Sequence, residues 1–434
     1  MTFGFHQSLR TIPKELGEAA SIYRLGFWRR FTRLELPFGM IPLIWNSMMS
    51  WAGGWFFLMA AEQFRLGNKD FRLPGLGSYI QTAANAGDLR GLLFGLLTLI
   101  ALIVLLDQFL WRPLVAWSER FKLEQSGASD IPRSAVLTAL RRSAALAWLS
   151  DRMVRPLGER LDEILSWPGT DQLAETAHFP PRPPSLIVRF LWVCVSVVIA
   201  GVVLWSTAAV IRNLASVHFG EWELIGAGAG ATLLRTSLAL ALGAVWTIPI
   251  GVAIGLNPRW ARRVQPLVQI AASIPATALF PALLLVFLAL PGGLNMAAVA
   301  LMLLGTQWYL LFNVIAGAMA IPSELREAAL VYRLRGWKRW RYLLLPAIFP
   351  YLVTGMITAT GGAWNASIVS EYVTFGNQRL STIGLGAVLA SAADAGNFAL
   401  LLASTLTMAA VVVTINRLLW RRLFTLAEQR YRLD

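Results

Sequence analysis

The chain has 434 residues, of which 56% are hydrophobic and only 14% charged, with 18 Trp and a mean hydropathy of +0.57, far more apolar than a soluble domain of this length. A single cysteine, Cys194, excludes a disulfide framework and any thiolate metal cluster. The net charge of +14 would suit nucleic acid, but the basic residues sit between apolar runs, as in Arg259, Arg262 and Arg263 or Arg417, Arg421 and Arg422; that is the positive-inside bias of a membrane protein, and it argues against a nucleic-acid partner.

In chain order, the first feature is a basic amphipathic island from Ile12 to Pro37 that recurs from Ile321 to Pro346. Ile12, Pro13, Glu15, Leu16, Glu18, Ala19, Ala20, Tyr23, Arg24, Leu25, Trp28, Arg30, Leu36 and Pro37 each match the residue 309 positions later, without a gap. The match continues through Trp55 and Trp364, Glu62 and Glu371, Gly75-Leu76-Gly77 and Gly384-Leu385-Gly386, to Leu110-Trp111-Arg112 and Leu419-Trp420-Arg421. One unit of about 110 residues is therefore present twice. Residues 38–61 and 91–111 are long and apolar enough to cross a hydrocarbon core of about 30 Å, with a turn at Pro74-Gly75-Leu76-Gly77 between them. Residues 1–11 align with the end of a spanning run, so the chain is expected to begin inside a helix, with about 125 residues of a first half lost ahead of Met1.

Residues 112–184 change character, with charged residues scattered through amphipathic pieces near 131–149 and 152–166 and a proline run at Pro180-Pro181-Arg182-Pro183-Pro184. No segment there can span, and the proline run reads as a stiff spacer. The stretch is either a connector or a docking surface for a partner. Six spans are expected after it, at about 186–212, 229–256, 266–290, 292–318, 343–371 and 398–419, with kinks at Pro249, Pro275 and Pro281. The 213–228 loop has no Lys or Arg and faces outward, whereas 257–265 carries three Arg and faces inward. Alternation then puts both islands, the linker and the C-terminus in the cytoplasm. The expected architecture is all-α with about eight spans, two from an incomplete first half and six from a complete second. Its segments are 1–123, a linker 124–184, and 185–434. A direct repeat in equal orientation implies a pseudo-twofold axis along the membrane normal.

In the second island, Pro322 and Ser323 suit the first turn of a short helix, Glu324 and Glu327 its positive end, and Gly336 its C-terminal stop. Such a helix is too short to be stable alone. Glu327-Ala328-Ala329 followed by Leu345-Pro346 resembles the EAA signature of permease subunits of type I ABC importers, and the flanking residues are similar to the nitrate, sulfonate, taurine and bicarbonate branch. The resemblance covers residues 1–123 and about 185–434, with a type-1 transmembrane domain at about 228–420. The signature has a Gly four residues after its second Ala; this chain has Arg333 and Arg24 there.

The resemblance implies that Glu18, Ala19, Ala20, Glu327, Ala328, Ala329 and Gly336 couple the chain to a separate ABC ATP-binding subunit, in the bacterial inner membrane. It also implies a periplasmic or lipoprotein solute-binding protein as partner, a small anion as substrate, and ATP and Mg used by the partner subunit, with no cofactor bound by this chain. The sequence carries no phosphate loop, its three His are scattered, and no nucleophile lies near a base, so no enzyme activity is expected.

Polar groups at membrane depth are candidates for the pathway or gate: Glu62 and Glu371 first, then Trp364, Asn365 and Gln307. Each carboxylate falls near the outer end of a span, where snorkelling to water is an alternative. The remaining alternative function is an ion- or proton-coupled secondary transporter using Glu62 and Glu371. Two docking loops favour the importer. No Arg or Lys cluster stands out as a place for an anion.

Overall fold

The computed structural model describes residues 12–118 except 13, 24, 67 and 68, residues 186–375 and 378–430, and the isolated positions 9, 137, 138, 152, 156, 157 and 160. The 124–184 linker, with its amphipathic pieces and proline run, and the 1–11 start fall outside the described residues but for those isolated positions.

Six of the described helices are long and apolar enough to cross a membrane: Leu89–Ser118, Trp192–Ala215, Phe219–Leu256, Gly293–Met319, Gly336–Ser370 and Phe398–Ala427. A seventh counts if Leu267–Ser273 and Ala276–Phe287, bent by 77°, form one span. Pro275 causes the bend: a residue before proline is driven out of the helical region, and Ile274 is extended at ψ 121°. The kink expected at Pro275 within the 266–290 span is thus a full break in the helix. Helix Leu36–Phe56 has 21 residues, about 31 Å at 1.5 Å each, but Asn46, Ser47, Ser50 and three glycines dilute it, and it is not among the six.

Two loops are shorter than expected. The turn assigned to 213–228 shrinks to residues 216–218, because helix Leu186–Ala215 ends late and helix Phe219–Leu256 begins early. His218 and Glu221 close a capping box at that start, with the His218 amide donating to Glu221 Oε2 at 2.9 Å. Residues 257–265 open a helix, Pro258–Ser273, whose Asn257 cap accepts from the Arg259 amide at 3.0 Å.

The sequence repeat is a structural repeat. Strands Gln63–Leu66 and Lys69–Arg72 pair antiparallel, as do Tyr372–Phe375 and Gln378–Ser381 at corresponding positions. These two hairpins are the described strands in an otherwise helical chain. Helices Leu76–Ala86 and Leu385–Ala395 follow, each closed by a left-handed glycine, Gly87 and Gly396. Wide π turns recur too, at Phe31–Glu35 and Trp340–Leu344, and at Asp107–Trp111 and Asn416–Trp420. In the first pair the cause is local: Pro37 and Pro346 lack an amide, and their rings clash with the carbonyl four residues back, so the preceding turn widens.

The described chain forms two compact units, residues 1–53 with 101–200 and residues 54–100 with 201–434. In the first, Trp51 meets Trp111 edge-on at 6.0 Å, and Arg112 Nε pairs with Asp107 at 3.1 Å. In the second, helices Phe219–Leu256, Gly293–Met319 and Leu345–Ser370 approach closely at glycines: Gly251 faces Val314, Gly255 faces Ala318, and Gly317 faces Tyr351. Small residues let helix backbones close in where lipid gives no hydrophobic drive.

Candidate functional site

At one end of the second unit the chain builds a buried carboxylate cluster. Helix Leu345–Ser370 ends at Glu371, whose side chain has no exposure, while the Arg235 side chain is 11% exposed. Arg235 Nη1 donates to Glu371 Oε1 at 2.7 Å. Thr232, one turn before Arg235 on the same helix face, donates its hydroxyl to the carboxylate at 2.8 Å from Oε1 and 2.9 Å from Oε2. The Gly386 amide adds a bond at 2.9 Å to Oε2.

The rest of the guanidinium is also occupied. Nε and Nη2 donate to Asn295 Oδ1 at 3.1 and 2.7 Å, and Nη2 reaches Thr382 Oγ1 at 3.0 Å and the Ile383 carbonyl at 2.7 Å. Arg235 thereby ties together helices Phe219–Leu256 and Gly293–Met319, the carboxylate after Leu345–Ser370, and the segment entering Leu385–Ala395.

The carboxylate also serves that last helix. The first amides of a helix have no partner within it, and the N-cap Gly384 has no side chain to offer. Glu371 caps the helix from outside, taking the Gly386 amide directly, and Thr232 Oγ1 takes the Leu385 amide at 2.8 Å. A negative group there is favoured by the helix dipole. Gly384 is extended, at φ −176°, so its glycine answers to space: a Cβ would fall inside the Glu371 carboxylate. A Cβ on Gly386 would strike the Ser367 backbone at 2.5 Å, and one on Gly228 the Gly384 and Leu385 backbone at 2.9 Å.

The first copy repeats the core of this arrangement. Glu62 Oε2 accepts from the Ser78 amide at 3.0 Å, a Cβ on Gly75 would fall inside the Glu62 carboxylate, and the Leu73 amide donates to the Glu62 carbonyl at 2.8 Å, as Thr382 does to Glu371 at 3.1 Å. Snorkelling is excluded for Glu371 by its burial and its three donors. Trp364 is buried beside the cluster, packed with Ile225, Leu385 and Val388. Gln307 is buried on helix Gly293–Met319, and Asn365 is exposed on the outer side of its helix. Gln307 and Asn365 are therefore not gathered around Glu371. Sequence reasoning missed Arg235, Thr232, Asn295 and Thr382; the available signal was a lone arginine inside an apolar helix.

The islands are built from the same parts in both copies. Helix Ser323–Val331 has Glu324 in its first turn, and Arg326 braces its entry by donating twice to the Ile321 carbonyl, at 3.0 and 2.7 Å. Ala329, 5% exposed, seats the helix on Val252, Val314, Ala318, Leu344 and Ile348. In helix Lys14–Ile22, Ala20 is likewise 5% exposed. Glu18 and Glu327 point to the open side, Ala19 and Ala328 are half-buried, and Ile22 with Tyr23 and Val331 with Tyr332 are all close to four-fifths exposed.

The helix stop differs from expectation. Helix Ser323–Val331 ends five residues before Gly336, in a Schellman turn where Arg333 donates to the Leu330 carbonyl at 3.0 Å and Leu334 to the Ala329 carbonyl at 2.8 Å. Arg333, at φ 53°, takes the left-handed position itself. Gly336 also has positive φ, 52°, but it opens the next helical turn, Gly336–Arg339. In the first copy, Leu25 donates to Ala20 at 3.0 Å, the same closing bond.

Residues 1–110 and 247–432 match the family described as the binding-protein-dependent transport system inner membrane component. The chain belongs to this family. Among its relatives, a nitrate import permease protein from Leptolyngbya laminosa is 25% identical over 43% of this chain and 64% of its own length. A bicarbonate transport system permease protein from Synechococcus elongatus is 30% identical over 36% of this chain and 52% of its own length. The chain thus spans about half to two-thirds of the length of the curated relatives it matches. A solved structure of the MetNI methionine ABC transporter, in an inward-facing conformation, aligns over 49% of this chain and 99% of its own with a TM-score of 0.41 and 22% identity. Members of this family are multi-pass components of transport systems, and the six membrane-length helices fit that membership.

Proposed function

We propose that this chain is the permease subunit of an ATP-driven importer for a small anion such as nitrate, bicarbonate or a sulfonate. The two EAA islands dock a separate ATP-binding subunit from the cytoplasmic side, and a solute-binding protein delivers substrate at the opposite face. The observation that carries this reading is the two-sided island: its second alanine is buried, Ala329 against spanning helices, while the aliphatic–aromatic pair beyond it, Ile22 with Tyr23 and Val331 with Tyr332, stands open to a partner. An isolated nine-residue helix has no reason to keep that face apolar in water. The secondary-transport alternative loses support from Glu371, because a coupling carboxylate must release its partners every cycle and this one is sealed by Arg235, Thr232 and Gly386.

The test is Glu327→Lys, with Glu18→Lys as its repeat mate. Each exposed carboxylate sits where a docked subunit would bury it. Reversing its charge is expected to weaken co-purification of the ATP-binding subunit by roughly 30-fold or more and to abolish substrate-stimulated ATP hydrolysis. Normal stimulation in Glu327→Lys would overturn the docking assignment.

A further inference from the structure

Helix Pro258–Ser273 is amphipathic in a way that its own packing does not use. Its inner side, Ala261, Val264 and Val268, packs on Ile254, Leu311, Ile315, Trp246 and Trp308. Its outer side carries Arg259, Trp260, Arg263 and Leu267, all exposed, with Trp260 at 59% and Leu267 at 66%. Positions 260, 263 and 267 follow the i, i+3, i+7 spacing of one helical stripe, and Arg259 lies a turn before Arg263.

That placement is unfavourable for the helix taken alone. Two arginines one turn apart repel, and both sit in the first turns, where the helix dipole disfavours cations. No Asp or Glu occurs anywhere in residues 257–275 to compensate, and neither arginine forms an ion pair among the described residues. An anionic group beyond the described residues would offset the cost.

We propose that this stripe is a contact surface for anionic phospholipid headgroups. Guanidinium groups make paired hydrogen bonds to phosphate, an indole settles at the headgroup level, and a leucine two turns from it enters the acyl region. A soluble phosphate would engage the arginines but leave Trp260 and Leu267 in water, so the combination selects a lipid. The break at Ile274 and Pro275 fits this role, since it turns the helix away from the direction of the following Ala276–Phe287 segment. The inference rests on the family's place in a membrane and is independent of the docking assignment for the islands.

Unfolding of the full chain, purified with its partner subunits in detergent, is followed while phosphatidylglycerol, phosphatidylcholine or soluble glycerol 3-phosphate is added. Phosphatidylglycerol is expected to raise the unfolding temperature, with the other two nearly silent, and Arg259→Gln/Arg263→Gln is expected to lose about half or more of that rise. Loss of the same share in Arg421→Gln/Arg422→Gln, a second exposed basic pair, would show a general charge effect and overturn the proposal. In parallel, a spin label at Trp260→Cys in a Cys194→Ser background, in phosphatidylglycerol vesicles, is expected to meet oxygen more than a water-soluble nickel complex. Preference for nickel would place the stripe in water, and exclusion of both probes would place it under a protein partner; either result overturns the lipid assignment.

Discussion

Arg235 and Glu371, 136 residues apart in sequence, form a 2.7 Å ion pair in which the carboxylate has no exposure and the guanidinium almost none. Relative to an apolar pair of the same shape such a bridge adds little stability, but removing one partner strands the other. Arg235→Met is therefore expected to destabilise the chain by about 3–5 kcal/mol, and Arg235→Met/Glu371→Gln to regain a large part of it. Thermal unfolding of the two variants checks this. Equal losses would show that the two residues do not act as a unit.

Glycine substitutions should divide by position. At Gly386 a Cβ meets the Ser367 backbone, which cannot yield without moving helix Leu345–Ser370, so Gly386→Ala is expected to cost about 1–3 kcal/mol. At Gly230, inside helix Phe219–Leu256, nothing lies within 4 Å of a Cβ, and Gly230→Ala is expected to gain up to about 1 kcal/mol. Expression level and unfolding temperature of the two variants are the readout.

Arg333 holds a left-handed conformation that costs a side-chain-bearing residue roughly 1–2 kcal/mol. Arg333→Gly is expected to stabilise the island by up to about 1 kcal/mol, and Arg333→Val to destabilise it, because a β-branched residue tolerates positive φ least. Hydrogen exchange at the Leu334 amide, which closes the turn, reports the change directly.

Sidedness is open to labelling. Ser216, in a turn, and Ser323, at the start of helix Ser323–Val331, are both exposed and lie on opposite sides in the proposed topology. In a Cys194→Ser background, Ser216→Cys is expected to react with an impermeant thiol reagent in intact cells and Ser323→Cys only after lysis. External labelling of Ser323→Cys would reverse the orientation.

The repeat, the helical class and the islands were legible because they rest on identity at fixed spacing and on long apolar runs, signals carried by the sequence itself. Glu62 and Glu371 stood out as charges at membrane depth, yet their partners did not. Arg235 lies 136 residues from Glu371, and pairing at that distance leaves no local pattern. Loop ends were misplaced where polar residues continued a helix, as at Phe219 and Pro258, since composition marks the change of solvent and the backbone need not change with it. The helix stop was expected at Gly336 because glycine takes positive φ most easily; the cost of that conformation at Arg333 is small enough for the surrounding contacts of Leu334 to impose it.

The paired π turns set the helical phase of the spans that follow them. Each adds a residue to a helical turn and so rotates everything beyond it by about 100°. The helical phase before Trp340 therefore does not carry over to the span after Leu345, and Lys338 and Arg339 are no guide to which face of that span meets its neighbours. The same offset stands at the matching position of the first copy for both pairs, even though Pro113, which follows one of them, is replaced by Arg422 in the other. A register shift that stands with proline at 113 and with arginine at 422 does not depend on that proline, so the rotation belongs to the repeated unit itself.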